Sequence, residues 1–189
     1  GKFILIPPRY ATHDEIALVH SPSYIDWIAQ TDGQPSCALD SDTQTTADSY
    51  DTAKLAVGGV LNAVDAIMDG QVDNAFALVR PPGHHADADH AAGFCIFNNT
   101  AIAARYALVR HQLNRILIAD WDLHHGDGTQ TIFYGDRQVL YFSAHQYPAY
   151  PGSGSLADVG HGEGLRYTIN VPLKAGSDNA MYVKAFRGI

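Results

Sequence analysis

Residues 116–128 read Ile-Leu-Ile-Ala-Asp-Trp-Asp-Leu-His-His-Gly-Asp-Gly, a short apolar run whose carboxyl end is crowded with acids and histidines. Ile116 to Ala119 predict a buried strand. If the chain stays extended beyond it, Asp120, Asp122 and His124 share one face, because side chains alternate along a strand. Carboxylate oxygen and neutral imidazole nitrogen are both good zinc donors, so these residues are candidates for a single ion. The turn at His125, Gly126, Asp127 and Gly128 can fold a second carboxylate back toward them. Lone acids and histidines after a strand usually cap or turn. So many ionisable groups gathered together are costly to bury without a metal or partner, and this favours a metal or catalytic role.

The rest of the chain sets the architecture around that stretch. Thr12-His-Asp-Glu15 has the form of a capping box leading into a short helix, 16–20. Ser21-Pro22 starts another, running through Ile28. Residues 31–47 are polar and irregular, a candidate binding loop that contains Asp40 and Asp42. From about Ser49 to Asp69 apolar residues recur at spacings of three and four, and Gly70 is placed as the stop. Gly58-Gly59 in mid-helix points to close packing on a neighbour. Ala75 to Val79 predicts a buried strand running into Arg80-Pro-Pro-Gly-His-His-Ala86. Two prolines end the strand and stiffen the loop, Gly83 permits the turn, and His84 and His85 are delivered at the strand's carboxyl end. Two adjacent histidines on a rigid loop point to catalysis, whereas His90 reads as loop surface.

Asn98 or Asn99 can cap the helix from Thr100 to about His111. Phe94 and Phe97 are core by default, although Phe94 beside Gly93 is also a candidate pocket wall. Further on come a short helix (130–135), a strand (139–143) ending in Ser-Ala-His145, an aromatic Pro/Gly-rich loop (147–154), a strand (167–173) and an amphipathic tail helix (177–186). Strands alternating with helices argue for an α/β fold with a parallel, helix-covered sheet, whose sites gather at the strands' carboxyl ends.

Bulk properties narrow the function. A formal net charge of −8 argues against broad electrostatic binding to nucleic acid or anionic membrane and would suit a cationic substrate. Cys37 and Cys95 form no disulfide framework and no zinc spacing, so a reducing, cytoplasmic setting is expected. No apolar run approaches the ~18 residues of a membrane span. The 189 residues suffice for one domain with a substantial core. The chain opens on Gly1-Lys without an initiator Met, so processing or a fragment is expected.

Taken together, several segments resemble the zinc-dependent histone deacetylase superfamily, on the class II, bacterial deacetylase-like and acetylpolyamine amidohydrolase side. They are Arg80-Pro-Pro-Gly-His-His-Ala86, Gly93-Phe-Cys-Ile-Phe-Asn-Asn99, Asp120-Trp-Asp-Leu-His-His-Gly-Asp-Gly-Thr-Gln130, Ser143-Ala-His-Gln146, Tyr150-Pro-Gly-Ser-Gly154 and Asn170-Val-Pro-Leu173. The likeness runs over nearly the whole chain. It implies the arginase/deacetylase fold and hydrolysis of an N-acetyl amide on a lysine or polyamine. Asp122 and His124 are then two zinc ligands. His84 and His85 are the tandem catalytic histidines, oriented by Asp120 and Asp127 respectively. Gly93, Phe94 and Tyr150 grip the substrate stem, with Tyr150 standing where Phe is frequent. The resemblance also implies a potassium site using backbone oxygens of Asp120, Asp122 and His124 with Ser143.

Departures from the family pattern matter as much. The third zinc ligand, an Asp in a Ser-Ala-Gly-Phe-Asp-Ala-His type motif, has no counterpart here. Neither has the transition-state-stabilising Tyr of a Gly-Gly-Tyr type motif, a loss worth about 3 kcal/mol by analogy with one oxyanion donor. The amino-terminal motif around His-Pro-Glu is missing too. The expectation is therefore a partial deacetylase-like α/β domain over residues 1–189, with an uncovered apolar edge that favours homo-oligomers. A truncated, non-catalytic module that binds or oligomerises is the alternative. A two-manganese, arginase-like hydrolase fits the tandem histidines poorly.

Overall fold

The computed structural model describes residues 3–188. The chain divides into two compact units, Gly1–Leu113 and Asn114–Ile189.

In the first unit, the capping box forms. Glu15 N–H donates to the Thr12 hydroxyl at 3.2 Å, and Thr12 N–H donates to the Glu15 carboxylate at 2.8 Å. The helix lies on the box itself, α1 (His13–Ile16), and the expected helical residues 17–20 form a turn and bend instead. Ser21 caps α2 (Pro22–Ala29) as its sequence signals. Within the polar stretch, which was expected to be irregular, β1 (Cys37–Ala38) and β2 (Gln44–Thr45) make a small antiparallel hairpin. The long helix α3 (Ser49–Met68) stops before Gly70, whose φ of +69° suits glycine. A Cβ at Gly58 would overlap the Arg9 carbonyl, so the missing side chain lets residues 9–11 lie on α3. The oxygen of Asn98 accepts from Ala101 N–H at 3.0 Å and caps α4 (Asn99–Arg110). Ile16, Ile25, Ile28, Val57, Leu61, Phe97 and Ile102 share one core between these helices.

One prediction fails in this unit. Ala75 to Val79 is not a strand, and Phe76 and Leu78 are 87% and 85% exposed. An apolar run states a preference for burial, but a strand also needs a neighbour to complete its hydrogen-bond ladder. Among the described residues this segment pairs with none.

The second unit is built on a parallel sheet ordered β3 (Ile116–Asp120), β4 (Val139–Gln146), β5 (Thr168–Leu173). Asp120 stands opposite Ser143, and Ser143 opposite Asn170. Along β4 the faces alternate. Phe142 and Ala144 pack with Leu173 and, from helix α6 (Asn179–Phe186), Ala185 and Phe186. Tyr141, Ser143 and His145 therefore point to the other face, toward helix α5 (Asp127–Phe133), which makes its contacts with β4. β3 forms where the apolar run predicts, yet only Ile118 is buried and Leu117 is 54% exposed. Among the described residues it is an edge strand, paired on one side only. α5 starts three residues before the expected 130, because the glycine turn is itself the helix entrance, with Gly126 as cap. The α/β class, with a parallel sheet and flanking helices, is as the alternation predicts.

Candidate active site

In the first unit, Pro81 to Ala86 forms the histidine loop. His85 is buried, His84 is half-buried, and their rings lie 4.0 Å apart between centroids. The unladdered segment before the loop does not deliver them, contrary to the expectation. The loop lies instead on the chain entering α4: a Cβ at Gly83 would come within 2.6 Å of Asn99 N and 2.9 Å of Phe97 O. Gly93 presses on the His85 ring so closely that any Cβ there would overlap it. Gly93 and Phe94 both take left-handed backbone, φ +55° and +68°, which costs a residue other than glycine.

What holds that conformation is the β1–β2 hairpin. Asp42 Oδ1 accepts from Gly93 N–H at 3.1 Å and from the Thr43 hydroxyl at 2.9 Å, while Thr43 Oγ1 accepts from Phe94 N–H at 3.0 Å. Phe97 is core, but Phe94 is 61% exposed and lines a hollow of about 490 Å³ with Ile96, Arg80 and Pro81. Of the two acids in the polar loop, Asp42 has a definite task. Its sequence signal, an acid in a long polar loop, does not reveal which residue it holds.

In the second unit the strand ends at Asp120, and the following residues bend. The expected alternation of Asp120, Asp122 and His124 on one strand face is thus replaced by a chain of local turns. Asp120 Oδ1 accepts from Asp122 N–H at 3.1 Å, and Asp122 Oδ1 accepts from His124 N–H at 2.7 Å. The curl nonetheless brings the Asp122 carboxylate within 3.3 Å of His124 Nδ1. Both side chains are about half exposed, and the Tyr150 ring stands edge-on to the imidazole at 5.9 Å. The Tyr141 hydroxyl lies 3.2 Å from Asp120 Oδ2 and 3.0 Å from Gly126 O. Asp127 is the first residue of α5, where a carboxylate is favoured by the helix dipole.

Beneath these residues lies a polar network that the sequence reading leaves unassigned. His125 and His145 sit 4.7 Å apart, ring to ring. His145 Nδ1 accepts from the Ser143 hydroxyl at 2.9 Å and Nε2–H donates to Gly154 O at 3.0 Å. His125 bonds Ser153 through Nδ1 and Gln130 through Nε2, and Gln130 also accepts from Asn170. Burial lowers the pKa of His145, and lowers that of His125 to about 4 with the neighbouring His145 adding to the effect. Both are neutral at pH 7. A Cβ at Gly154 would overlap the His145 ring, which accounts for a glycine between two such close imidazoles. Among the described residues no three His, Cys, Asp or Glu side chains cluster as a complete metal site. No described helix is long and apolar enough to cross a membrane.

Comparison with known proteins adds a family. The histone deacetylase domain matches residues 1–189. A probable deacetylase of Archaeoglobus fulgidus is 41% identical over 96% of this chain and 50% of its own length. The polyamine deacetylase HDAC10 of Danio rerio is 45% identical over 96% of this chain and 29% of its own. A crystal structure of the HDA15 HD domain superposes with a TM-score of 0.87 at 41% identity, covering 90% of this chain and 48% of that one. The expected arginase/deacetylase-like fold is therefore the fold of this chain. It spans about half the length, or less, of these relatives.

Proposed function

We propose that this chain, which belongs to the histone deacetylase family, serves the zinc-dependent hydrolysis of an N-acetyl amide on a lysine or a polyamine. The observation that carries the reading is the convergence of Asp122 Oδ1 and His124 Nδ1, 3.3 Å apart beside the exposed ring of Tyr150. A carboxylate and an imidazole that close together, half open to solvent, suit two ligand positions of one zinc ion. Zinc held there supplies Lewis-acid polarisation of the acetyl carbonyl and acidifies water toward about 7.

The chain's own residues do the rest. His85, with His84 beside it, takes the proton from the attacking water and returns it to the leaving amine. Asp120 and Asp127 are the carboxylates assigned to orient His84 and His85, each fixing a tautomer. Phe94 and Gly93 on one segment, and Tyr150 on another, line the stem of the acylated amine. A potassium ion among the backbone oxygens of Asp120, Asp122 and His124 and the Ser143 hydroxyl is part of the same reading. The register that sets Asp120 opposite Ser143 supports it. Cys37 and Cys95 are not joined in a disulfide, which suits a reducing, cytoplasmic setting.

A second reading, a non-catalytic module of the same fold, is favoured by one observation: the described residues offer no third ligand group beside Asp122 and His124. Elemental analysis of protein purified without chelator separates the two, run beside an Asp122→Asn, His124→Ala variant. The first reading expects about one zinc per chain, lost in the variant, together with turnover of an acetyl-lysine peptide or a monoacetylated polyamine. Absence of zinc and of turnover in the unaltered protein sinks it and leaves the second.

A further inference from the structure

We infer that Asn98 and Asn99 are positioning residues that fasten both ends of the Pro81–Ala86 loop and thereby fix the imidazoles of His84 and His85. The inference rests on the deacetylase reading for its catalytic meaning, but its geometry lies wholly within the first unit.

Three fasteners are present. Asn99 Nδ2–H donates to Pro81 O at 3.0 Å, at the loop's entrance. Asn98 Nδ2–H donates to Ala86 O at 2.9 Å, one residue beyond His85. Between them Gly83 lies against the Phe97–Asn99 backbone with no room for a side chain. Asn98 and Asn99 are buried, 0% and 7% exposed, so water does not readily replace either amide. The segment upstream of the loop has no ladder partner among the described residues.

The chemistry explains why the residue at 98 is asparagine. Its oxygen caps α4 through Ala101 N–H while its nitrogen donates to Ala86 O. Aspartate would cap as well but has no donor, and serine or threonine would cap with one short hydroxyl, whereas the amide carries its acceptor and its donor on separate atoms, one for each task. The backbone N–H of Asn98 is held in turn by buried His20, whose Nε2 accepts it at 2.9 Å. The loop, the start of α4 and the turn after α1 are thus one hydrogen-bonded assembly.

The test compares Asn98→Ser, which keeps a capping oxygen and removes the amide N–H that reaches Ala86 O, with Asn99→Ser. Asp178→Ala, which removes the N-cap of α6, serves as a control that costs stability away from the loop. Each zinc-loaded protein is assayed for kcat and KM on an acetyl-lysine peptide, and its histidine ring resonances are recorded by nitrogen–proton NMR. The expected result is a fall of tenfold or more in kcat for both asparagine variants. KM stays within twofold, zinc content is kept, and the His84 and His85 ring signals shift or broaden. Kcat within twofold of the unaltered protein with unmoved ring signals, whatever the loss of melting temperature, overturns the inference. If the unaltered protein shows no turnover, the deacetylase reading fails on its own and the ring signals alone decide whether the asparagines position the loop. Should Asn98→Ser not fold, Asn99→Ser carries the test.

Discussion

The two histidine-bearing segments are held in opposite ways. His84 and His85 sit on a loop tied at both ends to buried asparagine amides, with a glycine pressed flat against one ring. Asp122 and His124 are half exposed, and each donates its backbone N–H to the carboxylate two residues before it. On the proposed deacetylase reading, the difference suits two kinds of work. A general acid–base group has nothing but the protein to orient it, so its geometry must be built in advance. A metal ligand is drawn into place by the ion, and an open pair of donors leaves the ion a way in.

The strongest way to break this contrast is to remove one imidazole from each segment. His85→Ala is expected to lower turnover by about 10²–10⁴-fold with zinc content unchanged, whereas His124→Ala loses the zinc itself. Parallel metal analysis and single-turnover assays check both, and loss of zinc from His85→Ala would erase the distinction.

Acid sharpens the contrast next. Burial depresses His20, the acceptor behind Asn98, to about 4, against the raising influence of Asp87 and Asp89 nearby. An unfolded histidine titrates near 6.5, so between the two values the unfolded chain binds more protons and stability falls as pH falls. His20 contributes its full effect above about 6.5, and up to about 3 kcal/mol is lost on approaching pH 4. Urea titrations across that range should show the slope, shallower in His20→Gln. His125 and His145 in the second unit are depressed as well and add to the slope that remains.

Gly93→Ala is expected to cost about 1–3 kcal/mol and to displace the His85 ring, since the added methyl meets it on strained backbone. Denaturation midpoints and kcat should fall together. If only stability falls, the ring is not held by that contact. The smallest effect belongs to Thr43→Val, which deletes the acceptor for Phe94 N–H. A loss of about 1 kcal/mol and a few-fold rise in KM are expected, measured on the same substrate.

Features written in consecutive residues were legible in the sequence. The Ser21 cap, the Thr12–Glu15 box and the period of α3 act within a turn or two of themselves and appear where their patterns put them. Ala75–Val79 misled because an apolar run reads the same whether or not a ladder awaits it. Asp120, Asp122 and His124 were found as a group, but by alternation along a strand that stops at Asp120. Short side-chain turns, which alternation does not describe, bring two of them together. The fastenings that matter most to the first histidine pair were hidden. Nothing adjacent to Asn98 names Ala86, and nothing adjacent to Asp42 names Gly93, 51 residues away. Such partners are set by packing, not by spacing.

That separation has a kinetic side. The bonds from the Asp42–Thr43 tip to Gly93 and Phe94 each span 51 positions, so the aromatic wall at Phe94 cannot set until a long stretch of chain, α3 included, has come round. Loop-closure entropy is met before such contacts give any return. During refolding the helices should therefore gain protection first and the wall last. Pulse-labelled hydrogen exchange at the Gly93 and Phe94 amides, timed against those within α3, would show whether this wall of the hollow is the final part of the first unit to form.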